Sequence, residues 1–155
     1  MPFDKLMENP ALSDMERLAE KAKGLLAEKG CTLAACAEDD TVLSNARGVK
    51  PLLDMLDAGV SLSRYAVADK VVGRAAAFLY ALLGARYIHA GIVSTPALEV
   101  FTRLGISCTC GTEVDAIKNR TNTGLCPMES AVRSINDPAE AEKAIRETLE
   151  RLSSA

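Results

Sequence analysis

The sequence predicts an α/β domain whose central strands run parallel and carry helices on both faces. Three observations predict it. Short runs rich in β-branched residues alternate with helical stripes through the middle of the chain, a pattern that calls for parallel strands covered on both sides. The 155 residues, 48% hydrophobic and 25% charged, suit one domain with a proper core. No internal repeat, linker or low-complexity segment divides them, so residues 1–155 read as one unit with its core at about 31–136 and a helix at either end.

The first helix is announced by Ser13 and Glu16, spaced as a capping box, and by the stripe Met15, Leu18, Ala19, Ala22, Leu25 and Leu26 that Gly30 stops. "TLAACAEDDTVLSNA" reads as two strands turning at Glu38, Asp39 and Asp40, and "RGVKPLLDMLDAG" as a loop and a short helix ending at Gly59. "SRYAVAD" is then a strand ending at Asp69, followed by a helix over "KVVGRAAAFLYALLG". "ARYIHAGIVS" is a strand and "TPALEVFTRLG" a helix, with Thr95 as cap and Pro96 in the first helical position. "ISCTC" is a further strand, "EVDAIKNR" a turn or two of helix, and a polar loop leads to a helix from Pro127 to about Ile135. Asp137, Pro138 and Glu140 open a last helix with the stripe Ala141, Ile145, Leu149 and Leu152.

A net charge of −3 and 4% aromatic residues, with no tryptophan, advertise neither a phosphate-binding face nor a platform for stacking bases. Nucleic acid is not an expected partner. The start "MPFDKLMENP" is acidic and has no basic-then-apolar pattern, and the run Ala75–Ala85 is too short to span a bilayer. A cytoplasmic protein without a membrane partner is expected, and a homo-oligomer is compatible with the sequence. Five cysteines, an odd number, read as thiols rather than a disulfide frame.

Ligands of open α/β sheets sit beyond the carboxyl ends of the strands, where helices also present free N–H groups. Asp69 with Lys70 stands at one such junction, either as a cap or as a pair meeting a polar ligand, and Ser94 with Thr95 stands at another. The stretch "NRTNTGLCPMES" is the most unusual. Pro127 places Cys126 at a helix N-cap, where an oxygen side chain would serve better, and the helix end with Lys118 and Arg120 favours a reactive thiol. Glu129 completes that same cap on this reading. Asn119, Arg120, Thr121, Asn122, Thr123 and Gly124 form either a cradle for a phosphate or carboxylate, with Arg120 as the clamp, or a solvated turn. Cys108, Cys110, Cys126 and His89 are the right types for zinc but lack its paired spacing, so no metal and no other cofactor is expected. Cys31 and Cys36 read as small buried hydrophobes, and Cys108 and Cys110 as buried strand residues.

"RGVKPLLDML", "VADKVVGRAAA", "STPALEV", "GISC" and above all "NRTNTGLCPMES" resemble a family of small prokaryotic proteins of uncharacterised function whose fold is similar to that of cytidine deaminases. The likeness runs from about Cys31 to Ile145 and implies a three-layer α/β/α sandwich with a mixed sheet. It also implies that Asp69, Lys70, Ser94 and the loop look onto one cleft. Zinc deaminases carry H-x-E and P-C-x-x-C at two helix starts. Here those places hold Asp69, Lys70 and Val71, and Thr95, Pro96 and Ala97 with Leu98 and Glu99 following, so deaminase activity is not carried over.

The expectation is therefore a zinc-free protein that binds a small anionic or nucleotide-like molecule. Cys126, Asp69 and Lys70 are the candidate catalytic groups, and Ser94, Asn119, Arg120, Thr121, Thr123 and Gly124 the candidate ligand contacts. Two alternatives stay open, a non-catalytic metabolite-sensing or regulatory module and a thiol redox sensor. Whether the chain is an enzyme at all is left undecided by its residues.

Overall fold

The computed structural model of the protein describes residues 11–119 and 121–154. Strand β1 (Leu33–Cys36) pairs antiparallel with β2 (Thr41–Ser44) across the acidic turn, as the sequence predicts. Its other edge pairs antiparallel with β3 (Ala66–Val72), and β4 (Tyr87–Ser94) and β5 (Ser107–Val114) continue in parallel. The order is β2-β1-β3-β4-β5, a mixed five-stranded sheet.

Helix α1 (Leu12–Lys29) packs on β1 and β3, and its Met15 and Leu18 join Ala34, Cys36, Ala66 and Ala68 in a small core. The larger core contains Leu33, Ala35, Val67 and Ile88, which alternate with that set along the strands. It is closed by α2 (Lys50–Asp57), α3 (Arg74–Leu82), α4 (Thr95–Leu104), α5 (Pro127–Val132) and α6 (Pro138–Ser154). All four β1 residues are buried because helices cover both of its faces, whereas β5 is a mostly exposed edge. Helix α3 lies at the centre, with Phe78, Leu79 and Tyr80 fully buried, as befits a helix apolar on nearly every side. Among the described residues no helix is long and apolar enough to cross a membrane.

Strand β3 does not stop at Asp69. It continues to Val72, Gly73 is the N-cap, and α3 begins at Arg74 rather than Lys70. The reason is that pairing with β4 continues in unbroken register through Val71–Ile92 and Val72–Val93. The pairing passes over Lys70, Gly91 and Gly111, stepping from Asp69–Ala90–Cys110 to Val71–Ile92–Thr112. Burial changes phase at the same line, since Ala90 and Val93 are both in the large core while Ile92 is 38% exposed. A Cβ on Gly91 would lie 2.8 Å from the Lys70 carbonyl oxygen, so only glycine admits this approach.

Other local expectations also shift. Helix α1 begins before Ser13, with Ala11 at the N-cap and no side-chain cap, so the capping box is not formed. Strand β5 extends to Val114 and "EVDAIKNR" is not helical; Lys118 instead bridges Leu125 in a small hairpin. Helix α5 ends at Val132, short of Ile135. Asp137 caps α6 by accepting from the Glu140 N–H at 3.0 Å, as the sequence predicts, but Leu152 is 46% exposed and lies outside the buried stripe.

Candidate functional site

Two helices open at the carboxyl ends of neighbouring parallel strands, α3 after β3 and α4 after β4. Helix α4 is capped from within: the fully buried Ser94 accepts the Ala97 N–H on Oγ at 3.2 Å, one residue earlier than the Thr95 cap expected. Thr95 donates to a carboxylate oxygen of Glu113.

Helix α3 has no cap of its own, because Gly73 offers no side chain. Its first turn is capped from α5, where Glu129 Oε1 accepts the Arg74 N–H at 2.7 Å and Oε2 the Ala75 N–H at 2.9 Å. Glu129 therefore does not fold back on its own helix; the Cys126 N–H donates to the Ile117 carbonyl. A Cβ at Gly73 would fall 2.5 Å from Glu129 Oε1, so the missing side chain makes room for the carboxylate. Burial pushes the Glu129 carboxyl up, while the two N–H groups and the Arg74 charge hold it down.

Arg74 is also buried. Its Nε donates to the Val132 carbonyl at 3.2 Å, Nη1 to that of Pro96 at 3.3 Å, and Nη2 to Ile135 O at 2.6 Å and Asn136 Oδ1 at 3.0 Å. The guanidinium lies 5.0 Å from the Phe78 ring centroid and 4.0 Å from Glu99 Oε2. One side chain thus joins α3 to α4, α5 and the link to α6.

Beside this pair lies a cavity of about 410 Å³ whose lining includes Pro96, Glu99, Asp115, Leu125, Arg133 and Asn136 as well as Arg74 and Glu129. A second, more open groove of about 390 Å³ runs between α5 and α6. The first is the better candidate, because it adjoins both helix starts and the buried charges.

Of the residues the sequence brought forward, Pro96, Glu99 and Glu129 line that cavity, whereas the described candidate catalytic and ligand-contact residues, Asp69, Lys70, Ser94, Asn119, Thr121, Thr123, Gly124 and Cys126, do not. Asp69 is half-buried as a residue, but its carboxyl is enclosed; Tyr80 Oη donates to it at 2.5 Å, and burial raises it to about 6 against that hydrogen bond. Lys70 is exposed in mid-strand, with its N–H on the Thr32 carbonyl. In the loop, Asn119 Oδ1 accepts from the Thr123 N–H and Thr121 Oγ1, the two threonine hydroxyls lie 2.8 Å apart, and the Gly124 carbonyl accepts the Asn119 N–H. Those polar groups satisfy one another. Arg120 lies outside the described residues. Cys126 is at the α5 N-cap, partly buried against the large core, and its neighbour Leu125 lines the cavity. Cys110 is exposed and Cys108 half-buried, not both buried as expected, because β5 is an edge.

The sequence reading passed over Arg74, Arg133, Asp115 and Asn136. Only Arg74 left a trace, as a charge heading an apolar helix.

Residues 21–149 match the family model described as TM1506, domain of unknown function DUF1893. The chain belongs to that family. It is similar to the crystal structure of a DUF1893 family protein (TM1506) from Thermotoga maritima, with 26% sequence identity, a TM-score of 0.75, and 92% of this chain and 93% of that one covered. No curated protein matches it.

For a DUF1893 domain built this way, the chemistry on offer is hydrogen bonding and charge pairing in a cavity with an apolar wall. Among the described residues no three histidine, cysteine, aspartate or glutamate side chains converge to hold a metal ion.

Proposed function

We propose that this DUF1893 domain binds a small polar molecule in the cavity beside the first turns of α3 and α4, on a cytidine deaminase-like α/β/α scaffold that lacks the zinc motif. The scaffold reading is supported by the mixed sheet with helices on either face and by the two helices opening at adjacent strand ends. The observation that carries the binding role is the Glu129 carboxylate. It takes both oxygens to the first turn of α3, beside Gly73, and leaves no donor set for zinc there; the α4 start offers Ser94, Thr95 and Pro96. A buried carboxylate and a buried guanidinium bordering one cavity are a costly arrangement that a ligand site explains better than stability does.

The test is native mass spectrometry of the purified protein, followed by thermal shift with whatever mass is found. Ala116→Phe, at a half-buried lining position, should fill the cavity and abolish the ligand-induced shift with little change in the apo protein. A ligand that stabilises the variant equally well rules this cavity out.

A second reading, a thiol-dependent step at Cys126, is supported by its place next to Leu125 at the cavity wall. It predicts that iodoacetamide modifies Cys126 faster than the more exposed Cys110, and that bound ligand protects Cys126 alone. Faster labelling of Cys110 with no protection sinks it.

A further inference from the structure

The groups lining the cavity fall into two sets. Arg74 and Glu129 face each other's helices and are already satisfied: four of the arginine's side-chain N–H groups are bonded, Glu99 and the Phe78 ring lie beside the guanidinium, and each glutamate oxygen holds a backbone N–H. Both are buried and of opposite charge. What remains for a ligand is one cation, Arg133, two carboxylates, Glu99 and Asp115, the Ser134 hydroxyl and the Asn136 amide N–H groups. Among the described residues neither Arg133 nor Asp115 has a side-chain hydrogen bond or ion pair. Pro96, Ala116 and Leu125 supply the apolar wall.

We infer that the cavity takes a small zwitterion of the α-amino-acid type, its carboxylate against Arg133 and its ammonium against Glu99 and Asp115. This rests on the binding role proposed above and narrows it. A phosphate ester would bring its charge against one cation and two carboxylates, which disfavours it. A neutral ring would desolvate Arg133 and Asp115 without pairing either. A zwitterion pairs both signs at once, by charge-assisted hydrogen bonds, and lays its side chain on the apolar wall. A cavity of about 410 Å³ is at the small end of ligand sites, which suits a molecule of that size.

The experiment is thermal shift and calorimetry on the full chain with the proteinogenic L-α-amino acids, each hit then compared with its methyl ester and its N-acetyl derivative. Adenosine monophosphate and inorganic phosphate are run beside them. At least one free amino acid should stabilise the protein, and removing either charge from it should weaken binding by about tenfold or more. Arg133→Ala should erase the preference for acid over ester, and Asp115→Asn should weaken the preference for free amine over N-acetyl, with Glu99 retaining part of it. Both positions are exposed, so the apo proteins should melt as the parent does. If phosphate or the nucleotide stabilises and no amino acid does, the zwitterion is wrong, while loss of that effect in Ala116→Phe keeps the binding role. A hit whose preferences survive both substitutions also overturns the inference. If no probe binds and native mass spectrometry finds no bound molecule, the binding role falls with it.

Discussion

At the scale of single residues, Glu129 and Gly73 are one device, since the carboxylate fits because the glycine has no Cβ. Glu129→Ala leaves two N–H groups of α3 open and removes a negative charge near a buried arginine, so a loss of about 2–5 kcal/mol is expected from chemical denaturation. Glu129→Gln keeps one acceptor oxygen and should cost less, and Gly73→Ala about 1–3 kcal/mol through overlap with the carboxylate. Asp69 gives a pH dependence. Its folded pKa of about 6 lies above the unfolded value near 3.8, so its contribution is fully present below the unfolded value and is lost as pH rises through about 6. The gap between the two values corresponds to roughly 3 kcal/mol in full, of which about 2 kcal/mol is lost between pH 4 and pH 7. Asp69→Asn keeps an acceptor for Tyr80, so melting temperatures measured across that range should fall less steeply than in the parent and be higher at neutral pH. Some slope should persist, because Glu129 is raised as well.

At the scale of elements, the two helix starts differ in where their caps come from. Ser94→Ala removes a local cap and should cost about 1 kcal/mol in α4, whereas Thr95→Ala, one position later, should cost less because Thr95 bonds outward to Glu113. Strand β5 sets the order of thiol labelling. Iodoacetamide at neutral pH should modify exposed Cys110 well ahead of Cys108, whose thiol is pushed up to about 11 by burial first and by Cys110 second. Cys31 and Cys36, both buried, should label only when the protein opens. Peptide mass spectrometry over time checks the order, and equal rates for Cys108 and Cys110 would place β5 differently from an exposed edge.

At the scale of the molecule, Arg74 is the tie between the sheet's central helix and everything packed outside it. Arg74→Met removes the hydrogen bonds to Pro96, Val132, Ile135 and Asn136 and strands the Glu129 charge. A destabilisation of about 3–5 kcal/mol is expected. Its distribution is the sharper test: hydrogen exchange should rise in α5 and the 115–126 segment, while α1, β1 and β2, held by the smaller core on the other face, keep their protection relative to the global change. Uniform loss of protection would mean that the two faces unfold as one.

The order of strands and helices was legible in the sequence because it depends on local periodicity and punctuation. Gly30 and Gly105 end helices in the left-handed region, Pro127 and Pro138 open them, and β-branched runs mark β4. The stripe Met15, Leu18, Ala19 and Ala22 also packs as periodicity requires. The end of β3 was not legible, since the pairing that carries it past Lys70, Gly91 and Gly111 arises between strands and a single strand's pattern does not record it. The candidate cavity was legible in its location at the strand ends, a property of the architecture. Its groups were decided by tertiary structure, for a physical reason: the cap of α3 comes from Glu129, 55 residues after Arg74, and a local reading assigns such a carboxylate to its own helix. Asn119, Thr121 and Thr123 show the converse, since their side chains bond to one another within the loop, a pairing that composition does not record.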